Sequence, residues 1–93
     1  ARAGEAVHEL PMPEIYRAEN KGTMADLTND GGGPGSITAA WFLREFIKDG
    51  IDWVHADIAG TAFRTSSTAY GIEPAGGTGV GVRTLAHLIA SFG

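Results

Sequence analysis

His55, Asp57 and the serines at 36 and 66 are the residues whose types could do chemistry together. In an extended segment His55 and Asp57 lie on one face, because strand side chains alternate. Adding Ser36 or Ser66 would make a nucleophile, base and acid set. Adding carboxylates would make a metal site. The sequence around them holds no G-x-S-x-G elbow and no second histidine at helical ligand spacing. A buried, hydrogen-bonded His and Asp supporting a sheet is the stronger reading. His8 and His87 read as surface residues.

Two glycine-rich stretches invite a phosphate or nucleotide reading. Residues 29–35 run Asn-Asp-Gly-Gly-Gly-Pro-Gly before an apolar periodic segment, and helix N-termini attract anions. A phosphate loop needs a lysine and then Ser or Thr after its last glycine. Here Ser36 and Ile37 follow Gly35, so the cation is missing and a structural turn is favoured. In Gly77-Thr78-Gly79-Val80-Gly81, Val82 stands where the third glycine of a dinucleotide fingerprint belongs. Trp41 and Trp53 could stack on bases or sugars, but both lie within apolar runs and read as packing residues.

Few elements are available to position these groups. Pro11 and Pro13 make residues 1–22 irregular, with a short helix over 14–20. Residues 23–27 read as a strand or an extended stretch. Ser36 is the expected N-cap of a helix over 37–48, in which Ile37, Ala40, Trp41, Leu43, Phe46 and Ile47 recur at three- and four-residue spacing. Gly50 is its expected stop. Residues 53–59 read as a strand buried on both faces, as in a parallel sheet. Residues 60–81 read as a long loop, and loops of that length are uncommon unless functional. Val82, Leu85, Ala86, Leu88, Ile89 and Phe92 then stripe one face of a helix, with Arg83, His87 and Ser91 opposite.

The chain has 93 residues, a net charge of −4 and no cysteine. Disulfides, thiolate metal sites and a cysteine nucleophile are thereby excluded. Its seven basic residues lie far apart, whereas nucleic-acid binders concentrate theirs. The longest apolar run, 37–43, is too short for a membrane span. The expectation is a soluble protein with no nucleic-acid or membrane partner. One inner strand between two apolar helices leaves sheet edges uncovered. The expected fold class is therefore α/β, the C-terminal piece of a mostly parallel sheet sandwiched by helices, an incomplete domain.

Several ordered blocks carry a resemblance. Gly32-Gly33, Gly35-Ser36-Ile37-Thr38-Ala39-Ala40, Phe42-Leu43-Arg44-Glu45-Phe46 and residues 53–62 (Trp-Val-His-Ala-Asp-Ile-Ala-Gly-Thr-Ala) resemble successive parts of the leucyl (cytosol) aminopeptidase family. Glu9-Leu10-Pro11-Met12-Pro13-Glu14, Ala25-Asp26-Leu27, Thr78-Gly79 and Val82-Arg83-Thr84-Leu85 fit the same order, so the likeness covers nearly the whole chain. It implies a cytoplasmic, usually hexameric metallopeptidase that removes N-terminal residues, often leucine, from peptides. Two divalent ions, zinc or manganese, would share a water that attacks the scissile carbonyl.

The family's metal-binding lysine, acids and Asn-Thr-Asp-Ala-Glu-Gly-Arg motif belong upstream of these blocks, and none occurs in residues 1–93. No catalytic residue and no metal ligand is therefore expected here. Residues 1–93 are expected to be the C-terminal segment of the catalytic domain, inactive alone and completed by the missing metal-binding part. By position, the resemblance places Ala59, Gly60, Thr61 and Ala62 in the pocket for the substrate's first side chain. Two other readings stay open: a standalone interaction module using the 60–81 loop, and a small hydrolase built on His55 and Asp57.

Overall fold

In the computed structural model, which describes residues 2–66 and 74–92, Pro13 opens the first regular turn. Its backbone is extended and its carbonyl accepts the Tyr16 amide at 3.1 Å. The following residues, Glu14–Asn20, wind as a 3-10 helix over the range expected for a short helix. Residues 23–27 are expected as a strand or an extended stretch; of these Leu27 joins one isolated antiparallel bridge, to Lys21, closed around bends.

Helix α1, Gly35–Arg44, follows the glycine cluster and packs on the 3-10 helix. Pro34, not Ser36, occupies its N-cap and makes no side-chain capping bond. The Pro34 carbonyl instead accepts the amides of Ile37 and Thr38, so the helix begins before Ser36. Its end also differs from the expected Lys48. Beyond Arg44 the chain tightens, with Phe46 and Ile47 donating to the carbonyls of Leu43 and Arg44. Such three-residue bonds end a helix without a glycine. Gly50 (φ +82°) lies in a later turn.

The interior of this unit, Glu9–Asp57, is small and partly polar. Ala40 and Thr38 are buried, and Asn20 is 2% exposed. The Asn20 amide donates to the Thr38 carbonyl at 2.7 Å. Trp41 donates its indole N–H to the Pro13 carbonyl at 3.1 Å. Arg17 lies over the Trp41 ring and forms a two-pronged ion pair with Glu45. Phe42 and Phe46 meet edge to face at 5.5 Å.

The strand expected at 53–59 does not form a ladder. Residues 51–58 have no regular hydrogen-bonded structure, and Val54 is 88% exposed. A parallel strand draws its bonds from neighbours along its edges, and the described residues supply none. The sheet that does form is two-stranded and antiparallel: β1, Phe63–Arg64, pairs with β2, Gly76–Gly77, Phe63 opposite Gly77. The chain is thus a small mixed helix-and-strand segment. A parallel sheet is not among its described elements.

β1 and β2 belong to the second unit, Ala1–His8 with Ile58–Gly93. They lie inside the 60–81 stretch read as a loop, of which residues 67–73 fall outside the described residues. Helix α2, Val82–Ser91, begins where expected. Its N-cap is Gly81 in the left-handed region (φ +89°), a conformation open to glycine without strain. No described helix is long and apolar enough to cross a membrane.

Candidate functional site

Ala59, Gly60, Thr61 and Ala62 are brought together as one turn. The Ile58 carbonyl is its hub, accepting the Thr61 amide at 3.0 Å, the Ala62 amide at 2.9 Å and the Thr61 hydroxyl at 3.1 Å. Ala62 is half-buried and the other three are exposed. A Cβ added at Gly60 would meet nothing within 4 Å, so the turn presents small groups and open space.

Thr78 holds this turn from across the hairpin. Its amide donates to the Ala62 carbonyl at 3.0 Å, and its hydroxyl donates to the Thr61 carbonyl at 2.6 Å. The same hydroxyl accepts the Val80 amide at 3.3 Å. Donating once and accepting once, a hydroxyl has its rotor fixed. β1 continues directly from Ala62, and β2 leads directly into Thr78. The turn is therefore framed by backbone pairing on one side and by one side chain on the other. Sequence reasoning missed this role of Thr78 because Thr61, which its hydroxyl holds, lies 17 residues away.

A second arrangement that was not anticipated sits at the start of α2. Gly81 offers no side chain to the first amides of the helix, and Glu5 supplies a carboxylate in its place. One Glu5 oxygen accepts the Gly81 amide at 3.0 Å, and the other accepts the Thr84 amide at 2.9 Å and the Thr84 hydroxyl at 2.5 Å. A negative charge is favoured at this positive end of the helix dipole. The Thr84 hydroxyl holds the Glu5 carboxyl below its ordinary value against partial desolvation, with the Thr84 and Gly81 amides and the Arg83 guanidinium adding to the effect.

The serine, histidine and aspartate do not form a relay. Ser36 donates its hydroxyl to Asp57 at 2.5 Å. His55 instead stacks against Trp53, with ring centroids 6.2 Å apart. A serine bonded straight to a carboxylate has no imidazole to receive its proton. The expected buried His and Asp pair is also absent, since Asp57 is exposed and His55 half-buried, and no sheet among the described residues includes them. Ser66 is exposed. His8 and His87 lie at the surface as expected.

No three His, Asp or Glu side chains among the described residues converge into a group that could hold a metal ion. Hard divalent ions need several converging oxygens. The residues at hand do not fit such an ion, and no step through a metal is derived from them.

Relatives supply the context. The family model for the cytosol aminopeptidase family, catalytic domain, matches residues 1–86. The chain is 50% identical over 90 residues to a probable cytosol aminopeptidase of Prochlorococcus marinus (strain MIT 9313), covering 96% of this chain and 18% of that protein. It is 53% identical over 90 residues to one of Aquifex aeolicus (95% and 18%), and 48% over 94 residues to one of Desulfotalea psychrophila (100% and 18%). The chain thus spans less than a fifth of the length of these curated relatives. No solved structure matches it. A family match along residues 1–86 and identities near one half place the chain in the cytosol aminopeptidase family, within its catalytic domain.

Proposed function

We propose that this chain is the C-terminal segment of the catalytic domain of a metallo-aminopeptidase that removes N-terminal residues from peptides. In this reading the pair of divalent ions, zinc or manganese, is held by the rest of the domain. When bound, the ions supply an activated water and charge stabilisation at the attacked carbonyl. This segment contributes packing surface and the Ala59-Gly60-Thr61-Ala62 turn, which lines the pocket for the substrate's first side chain. Alone, it is inactive.

The match to the catalytic-domain family along residues 1–86 carries the reading. The small, open turn supports its finer part, because a pocket for an apolar side chain needs room rather than reactive groups. The remainder of the domain also gives residues 53–59 the edges of a mostly parallel sheet. A homo-hexamer in the cytoplasm is the assembly this reading carries, and native mass measurement tests it.

The pocket is tested by Ala62→Phe in the complete protein. The added ring fills the space before the turn, so the leucine-over-alanine ratio of kcat/KM falls about tenfold or more, while metal content stays unchanged. Equal leucine and alanine specificity constants in variant and parent would sink the assignment of the turn to that pocket.

A further inference from the structure

The Thr78 hydroxyl touches the backbone of the turn at one point only, the carbonyl of Thr61, and is itself fixed by the Val80 amide. The neighbouring bond, from the Thr78 amide to the Ala62 carbonyl, is main chain and survives any substitution other than proline. The hydroxyl is thus a side-chain link from the end of the hairpin to the 59–62 turn. From this we propose that Thr78 is a positioning residue for first-residue specificity. It acts through the Thr61 carbonyl and touches neither peptide nor metal. The inference rests on the assignment of residues 59–62 to the first-residue pocket.

The physical argument concerns the plane of one peptide bond. Thr61 and Ala62 both draw their amides toward the Ile58 carbonyl, which orients the N-terminal side of the turn. Thr78 holds their own carbonyls, that of Thr61 by its hydroxyl and that of Ala62 by its amide. With the hydroxyl gone, the peptide between Thr61 and Ala62 keeps the bond from its amide to Ile58 but loses the bond at its carbonyl. The Ala62 methyl group then samples a wider range of positions. A pocket that discriminates by shape loses discrimination when its wall moves, whereas groups that act on the scissile bond are untouched.

The experiment uses the complete protein loaded with its metal, with leucine and alanine p-nitroanilides as probes. Thr78→Val keeps the branched shape and removes the hydroxyl. It lowers the leucine-over-alanine ratio of kcat/KM about threefold to tenfold, through a higher KM for leucine with kcat for alanine unchanged. Thr78→Ser retains the hydroxyl and restores the ratio. Hydrogen exchange of the peptide containing Val80 quickens in Thr78→Val and not in Thr78→Ser, a readout independent of turnover. A parental ratio in Thr78→Val overturns the inference; so does an equal loss of kcat for both substrates, which marks a merely structural role. Ala62→Phe separates the two levels. If that variant alters the ratio and Thr78→Val does not, the pocket stands and the positioning role falls. If neither alters it, both fall.

Discussion

At Gly31 a methyl group would sit 1.6 Å from the carbonyl oxygen of Glu19. No side-chain motion relieves this, because the obstacle is backbone. Gly31→Ala is expected to destabilise by about 1–3 kcal/mol, the usual range for forced overpacking, read as a lower thermal midpoint of the complete protein. Gly35 is the control. It opens α1 with no positive φ and empty space around its Cβ position, so Gly35→Ala is neutral or stabilising by up to about 1 kcal/mol. The sequence marks 29–35 as a breaker cluster but does not rank its glycines. The ranking comes from the approach of Glu19, twelve residues back. Glu5 was no more legible, since its partners lie 76 and 79 residues on. Its carboxyl is held below the ordinary value, chiefly by the Thr84 hydroxyl. A depressed folded-state pKa stabilises above the unfolded value, about 4.3, and that contribution disappears as pH falls through the lowered folded value. Glu5→Gln is therefore expected to lower the thermal midpoint at pH 7, by an amount that shrinks as pH falls through the lowered folded value. A loss independent of pH would remove the charge from the explanation.

Among the elements, those with local causes were legible. The apolar stripe beginning at Val82 gave α2 its register, and Pro13 gave the 3-10 helix its start. The helix after the glycine cluster was legible in kind but not in extent. Its apolar spacing runs on to Ile47, yet the chain leaves the helix after Arg44, where Arg44 turns its guanidinium to the Ile47 carbonyl at 2.8 Å. Ser36 looked like a cap because serine usually caps; its hydroxyl is bonded to Asp57 instead. Residues 53–59 illustrate the opposite limit. Their composition suits an inner strand, but a strand's hydrogen bonds belong to its neighbours, and no local pattern can supply those. Of the candidate site, the sequence located the turn at 59–62 through resemblance and left its framing by β1, β2 and Thr78 unread. That framing depends on pairing across a connection whose residues 67–73 lie outside the described structure.

For the molecule as a whole, apolar surface exceeds apolar interior. Ala40 is the one buried hydrophobic residue among those described, while Val82, Leu85, Leu88, Ile89 and Phe92 on α2 are all exposed, Phe92 by 82%. Stability comes mainly from apolar area removed from water, so the 93 residues alone are expected to unfold in urea with a slope below about 1 kcal/mol/M. They are also expected to bind a hydrophobic dye, as loosely packed states do; the complete protein does neither. A steep, dye-silent transition of the isolated chain would show that these faces need no cover. The Glu5 clamp also bears on how the polypeptide is made. Glu5 leaves the ribosome ahead of Gly81 and Thr84 by 76 and 79 residues, a wait of roughly 4–16 s at ordinary translation speeds of about 5–20 residues per second. Until the end of that interval its carboxylate lacks these partners, and by then the segment Glu9–Asp57 has emerged in full. Glu5 thus finds its place only after residues far behind it in the chain have been made.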